Sequence, residues 1–244
     1  MKSLLWKDYR INRLLLVFGF VVCFGPWVLS IVLGDYLGWF RYNSEPPWRS
    51  PGFWISTCLF SLGLSVFTLA TLGGNAIAAE RADRSAEFLA YLPVTRWSVI
   101  VSKSLVAFAA GAAIWGVNLF ILFIVAPRFE FSYDPGDEMI ARLHMMFTVC
   151  AAVSILVFGS GWFWSAALTS HGLATGMSFV VLAAVIGGLL GLEFVCDSEN
   201  FLETWFARVC VVVGIGGYVG GCVYYLYRLE DVFPDFINGR KAAA

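Results

Sequence analysis

Six runs of predominantly apolar residues, at positions 14–33, 53–77, 99–126, 143–168, 173–192 and 209–227, leave this chain few ways to fold. Each approaches or exceeds the roughly 20 residues that a helix needs to cross a hydrocarbon core of about 30 Å. They are too long and too evenly apolar for barrel strands, and lipid offers no partner to an open backbone, so they are read as helices. A composition of 59% hydrophobic and only 14% charged residues fits a bilayer better than water. The expected fold is an all-α integral membrane domain. It has an N-terminal amphipathic helix over residues 1–13, six transmembrane helices within residues 14–229 and a tail over residues 230–244.

Lysine and arginine set the orientation. With the N-terminus in the cytoplasm, Lys2, Lys7, Arg10, Arg13, Arg81, Arg84, Arg96, Lys103, Arg228, Arg240 and Lys241 lie inside. Arg41, Arg49, Arg128, Arg142 and Arg208 lie outside, which accounts for all 16 basic residues. This excess favours both termini in the cytoplasm under the positive-inside rule, and the location expected for the chain is a cytoplasmic (inner) membrane. No basic tract is present to bind nucleic acid. The first apolar run is longer than a signal-peptide core and lacks a convincing small-x-small site after it, so it is expected to remain as a helix. Cys23, Cys58, Cys150, Cys210 and Cys222 fall within spans and read as packing residues, which leaves Cys196 without an external partner. His144 and His171 sit singly at membrane borders, so no metal site is expected.

Ion-coupled carriers and intramembrane enzymes place ionisable groups at membrane depth because their chemistry needs them there. The spans carry no such group at mid-depth. Lys103 lies near the inner end of the third span, where its stem is expected to snorkel, and Glu193 lies at the outer end of the fifth. No catalytic constellation and no cofactor-binding residue is expected. The phosphate-loop string G-x-x-x-x-G-K-[ST] is also absent from the sequence. The run from Gly214 to Gly221 falls in the sixth span, where Gly216/Gly220 and Gly217/Gly221 have the spacing of close helix packing, as do Gly187/Gly191 and Gly172/Gly176 in the fifth segment.

Between the second and third spans lies a polar interruption, residues 80–96. On a helical wheel Glu80, Asp83, Arg84 and Glu87 share one face, while Ala82, Ser85, Phe88, Leu89 and Leu92 occupy the other. Pro93 then ends the helix, because it has no amide proton to donate and biases Leu92 away from α geometry. A short amphipathic helix is expected, either resting at the lipid interface or meeting a partner.

The string AERADRSAEFLAYLPVTR, from Ala79 to Arg96, resembles the signature of the ABC type-2 permeases, the membrane subunits of ATP-binding-cassette exporters. That signature has a Glu-Arg pair before Glu-Phe/Leu-Leu and a Leu-Pro-Val/Ile-Ser/Thr-Arg ending. Many members carry Gly-Thr before the Glu-Phe/Leu, where this chain has Arg84, Ser85 and Ala86. The start, LLWKDYR from Leu4 to Arg10, is similar to the family's amphipathic N-terminal helix, and the six spans and cytoplasmic termini match as well.

The resemblance implies that the segment is a cytoplasmic coupling helix docking on a separately encoded ATPase, which binds ATP and Mg and drives a dimer of permeases. Glu80, Arg84 and Glu87 would then form a polar rim, with Phe88, Leu89 and Leu92 as apolar contacts. The turn over residues 169–172, with His171, would be a second contact. Leu5, Trp6 and Tyr9 would anchor the N-terminal helix at the membrane interface. Residues 193–208 would form a short extracellular helix before the last span.

Trp27, Trp115, Trp162 and Trp164 are candidates either for lining a translocation path or for ordinary packing. Two other classes stay open: a non-transporting multi-pass anchor or assembly factor, and an intramembrane enzyme.

Overall fold

The structure, a computed structural model, describes residues 2–36, 51–82, 95–125, 137–196 and 201–227. Its elements are α1 (Lys2–Tyr36), α2 (Pro51–Asn75), α3 (Ala78–Ala82), α4 (Arg96–Phe120) extended by a π-turn (Ile121–Val125), α5 (Asp137–Ala167), α6 (His171–Cys196) and α7 (Phe201–Tyr227). All are helical. Six helices are long and apolar enough to cross a membrane: Asn12–Val32, Gly52–Asn75, Arg96–Val125, Leu143–Ala167, His171–Phe194 and Trp205–Tyr227. They coincide with the six runs read from the sequence to within a few residues, and the chain is a multi-pass membrane protein.

The N-terminal amphipathic helix is not a separate element. Residues 2–36 form one helix, 35 residues long, which at 1.5 Å per residue is about 52 Å and well beyond a hydrocarbon core. No proline or glycine interrupts it before Gly19, so nothing in the sequence stops propagation at residue 13. Among the described residues no separate helix precedes the last span: residues 193–196 end α6 and residues 201–208 are the first turns of α7.

The described residues group into two compact units. One draws on Met1–Asn12, Leu69–Ala107 and Ala152–Ala244, the other on Arg13–Thr68 and Phe108–Ala151. The second unit has a core of Trp27, Phe53, Trp54, Cys58 and Leu62, with Trp115 packed against it. Within it a buried asparagine is satisfied on every side. Asn118 accepts from Trp27 Nε1 at 3.0 Å, and its amide donates to the Ile114 carbonyl at 2.9 Å and to Cys23 Sγ at 3.2 Å. Pro26 deprives the Val22 carbonyl of its helical donor, and beside that gap Ser61 Oγ donates to the Cys23 carbonyl at 2.8 Å.

The first unit is packed through glycine. Gly159 on α5 lies against the backbone of Gly214 on α7, and a Cβ at Gly217 would stand 2.9 Å from the Gly159 carbonyl oxygen. Gly73 meets the Phe158 backbone and Gly74 meets Thr175, so α2 is seated against α5 and α6 with almost no side chain between. Of the expected spacings, Gly217 and Gly221 face α5, whereas Gly216, Gly187 and Gly191 meet nothing within 4 Å. The stripe that packs is therefore Gly214, Gly217 and Gly221. Ala152, Leu156 and Cys210, flanked by Val181, Leu182 and Phe206, fill the space where α5, α6 and α7 meet.

These close approaches predict a sharp contrast. Gly159→Ala is expected to destabilise the purified chain by about 1–3 kcal/mol, the usual cost of overpacking. Gly216→Ala should stay within about 0.5 kcal/mol of the parent. Unfolding in a mild detergent with graded denaturant measures both.

Candidate functional site: a buried charge cluster at the edge of the polar segment

The second span ends sooner than its apolar run. After Gly73, Gly74 and Asn75 the chain makes a turn at Ala76 and Ile77, closed by Ala76 N–H donating to the Gly73 carbonyl at 3.2 Å, and α3 begins at Ala78. The turn frees backbone groups that lie away from water. Ser165 Oγ, from α5, accepts from the amides of Ile77 and Ala78 at 2.7 and 2.9 Å. On the carbonyl side, Lys103 Nζ, from α4, donates to Ala76 O at 2.6 Å. Two side chains from other helices thus hold the break from both faces.

Lys103 is also the centre of an ionic cluster. Its ammonium lies 3.1 Å from Glu80 Oε1 and 3.7 Å from Asp8 Oδ1, and Lys7 Nζ approaches the same Glu80 oxygen at 2.7 Å. Ser102 Oγ donates to the other Asp8 oxygen. Glu80 is 2%, Asp8 3% and Lys103 8% exposed, so three of the four charges are out of water. Removing even one such ion from water costs several kcal/mol, which only close counter-charges and hydrogen bonds offset. The count balances, with two lysines against two carboxylates. The Lys103 ammonium donates to the turn carbonyl and is ion-paired with carboxylates from α3 and α1.

A second tie runs beside it. Asn75 Nδ2, at the end of α2, donates to Asn12 Oδ1 at 3.1 Å, and Asn12 Nδ2 donates back to the Asp8 carbonyl at 2.9 Å.

The far side of the polar segment is anchored too. Thr95 caps α4, its carbonyl accepting from the Ser98 amide at 3.0 Å and its hydroxyl from the same amide at 3.4 Å. Arg96 Nη1 donates to the Leu226 carbonyl at 2.8 Å in the last turn of α7. Ser104 and Tyr218 share a 2.6 Å hydroxyl contact farther along the same two helices. Tyr225, near the end of α7, is buried.

The residues expected to carry function fall in several places. Glu80 is inside the cluster, held by the chain's own lysines, so its contacts here are internal rather than those of an open rim. Arg84, Glu87, Phe88, Leu89 and Leu92 lie outside the described residues, as does the side chain of Leu5. His171 is exposed at the first position of α6, whose start is capped by Ser170, its carbonyl accepting from Ala174 N–H at 3.0 Å. The short α3 packs against α6, so both expected contact regions belong to one unit. Trp6, 66% exposed, and Tyr9 present neighbouring rings 5.7 Å apart on the outer face of α1. Trp27 and Trp162 are buried within the chain's own packing, Trp115 borders the core of the second unit, and Trp164 lies edge-on to Phe163.

Sequence reading missed Lys7, Asp8, Ser102 and Lys103 as members of a site. A signal was available: Lys7, Glu80 and Lys103 were all assigned to one side of the membrane, and Asp8 adjoins Lys7. Lys103 does not snorkel to water. Seven residues into α4, about 10 Å from its start, it finds an acceptor and two carboxylates within the protein.

No family model, no curated protein and no solved structure matches the chain.

Removing the carboxylate that two lysines share leaves both without their nearest counter-charge. Glu80→Ala is expected to cost about 3–5 kcal/mol, as breaking a buried pair does. Arg96→Ala, which loses an exposed hydrogen bond, should cost about 1 kcal/mol. Reversible unfolding of the two variants side by side tests the ordering.

Proposed function

We propose that this chain is the transmembrane subunit of an ABC-type exporter of the type-2 kind, acting as a dimer and driven by ATP hydrolysis in a separate subunit. The coupling segment is residues 80–96. Its termini and this segment face the cytoplasm of an inner-membrane protein, where basic residues are concentrated. ATP and Mg are bound by the partner, since the sequence has no phosphate loop.

One observation carries the reading. The polar segment is tethered at both ends to the spans: Glu80 to α1 and α4 through the ionic cluster, and Arg96 to the end of α7. A tether of that kind suits a lever. A segment that only rested on lipid would need no buried charges at its root, whereas a segment pushed by a partner must pass the push to the helices. The local resemblance of residues 79–96 supplies the class of partner, and the exposed turn before His171 supplies a second place to touch it. Phe88, Leu89 and Leu92 are the apolar contacts of the segment, and a buried aromatic amid charged neighbours is where interface energy concentrates. Arg84 and Glu87 are its polar rim. Trp6, Tyr9 and Leu5 anchor α1 at the headgroups.

The tagged chain, purified from its native membrane, is expected to bring with it a nucleotide-binding subunit and Mg-dependent ATP hydrolysis. Phe88→Ala with Leu92→Ala should lower both at least tenfold while the chain keeps its oligomeric state and unfolding profile. A wild-type preparation with no nucleotide-dependent activity would favour the non-transporting anchor, and an unaffected double variant would place the coupling elsewhere.

A further inference from the structure

At the root of the polar segment Lys103 links four parts of the chain. It grows from α4 and touches the α2–α3 turn through Ala76 O, α3 through Glu80 and α1 through Asp8. Its neighbour Ser102 holds the second oxygen of the same Asp8 carboxylate, so α4 grips α1 by two adjacent residues. The backbone acceptor matters most. Ala76 O sits at the break where the chain leaves the second span, and inside a membrane protein such a carbonyl needs a donor wherever the chain turns. A helix running on through residues 76 and 77 would satisfy it internally; here the donor is a charge on another helix.

We infer that Lys103 is a positioning residue for the coupling segment. Its ammonium fixes the direction in which the chain leaves the second span and binds that exit to α1 and α4, so that displacement of the segment moves these helices together. The inference rests on the coupling role proposed above. Lys7 has a different part. Its side chain is 26% exposed against 7% for Lys103, and among the described residues its ion pair is with Glu80, so it neutralises the carboxylate from the solvent side.

A purely stabilising ion pair and a positioning residue predict different behaviour when the pair is replaced by uncharged groups of similar shape. Buried pairs exchanged in that way often cost nothing in stability. Asp8→Asn with Lys103→Met removes one charge of each sign, leaves Lys7 and Glu80 as a balanced pair and keeps an acceptor for Ser102. It does remove the donor to Ala76 O.

The test uses the complex with its ATPase in nanodiscs and follows amide hydrogen exchange over residues 77–82, 96–102 and 2–12, with and without ATP plus vanadate. In the wild type the nucleotide should shift exchange in all three stretches. In the Asp8→Asn/Lys103→Met variant, basal exchange at residues 77–82 should rise at least tenfold. The nucleotide-induced shift at residues 2–12 and 96–102 should fall at least fivefold, while the ATPase stays bound and hydrolyses ATP. Lys103→Arg, which retains charge and reach, should restore at least half of the shift.

Unchanged basal exchange at residues 77–82 overturns the inference, because the exit is then held by something else. Raised exchange with an intact nucleotide shift also overturns it, because the exit then does not carry the motion. If the wild type shows no nucleotide shift at all, the transporter reading fails, and basal exchange alone decides whether Lys103 positions the segment.

Discussion

A charge withdrawn from water must find its counter-charge within the protein, and among the described residues that demand is met at one place. Lys103, Asp8 and Glu80 are buried together, with Lys7 closing the group from the solvent side. Burial alone makes none of these groups favourable, since an unpaired ion there costs several kcal/mol. Together they require α1, the α2–α3 turn and α4 to keep one register, because a shift of a single turn would separate at least one pair. The glycine contacts of α5 with α2 and α7 set the same unit at close range. Packing fixes how near the helices lie, and the charges fix which residues face each other.

The spans were legible because their physics is one-dimensional. A run of about 20 apolar residues has to become a helix whatever its neighbours do, and the six observed helices follow the six runs. What the sequence conceals is pairing across helices. Lys103 and Glu80 are 23 positions apart and Asp8 is farther still, so no helical spacing connects them, and a lysine near a span end has a ready reading as a snorkelling side chain. The α2–α3 break was obscured for a related reason. Ala76, Ile77 and Ala78 are good span residues by hydropathy, and the turn is stabilised by Ser165 and Lys103, far away in sequence. Glycine spacing gave the Gly217/Gly221 pair that packs on α5 but not Gly214, which also lies against α5, and it included Gly216, which meets nothing within 4 Å.

In the proposed function the polar segment of residues 80–96 is the point of entry for energy. Its N-terminal end is the cluster and its C-terminal end is a capped helix tied by Arg96 to α7. A segment whose two ends are fastened to spans can pass a displacement on to them. Of the four candidate tryptophans, Trp27 donates to Asn118 and Trp162 is fully buried.

The most direct measurement places a photo-crosslinking amino acid at Leu89 in the full chain and irradiates native membranes with ATP or with ADP. The account predicts a covalent product with a nucleotide-binding subunit whose yield differs between the two nucleotides. Products with lipid alone, or with a protein that binds no nucleotide, would contradict it.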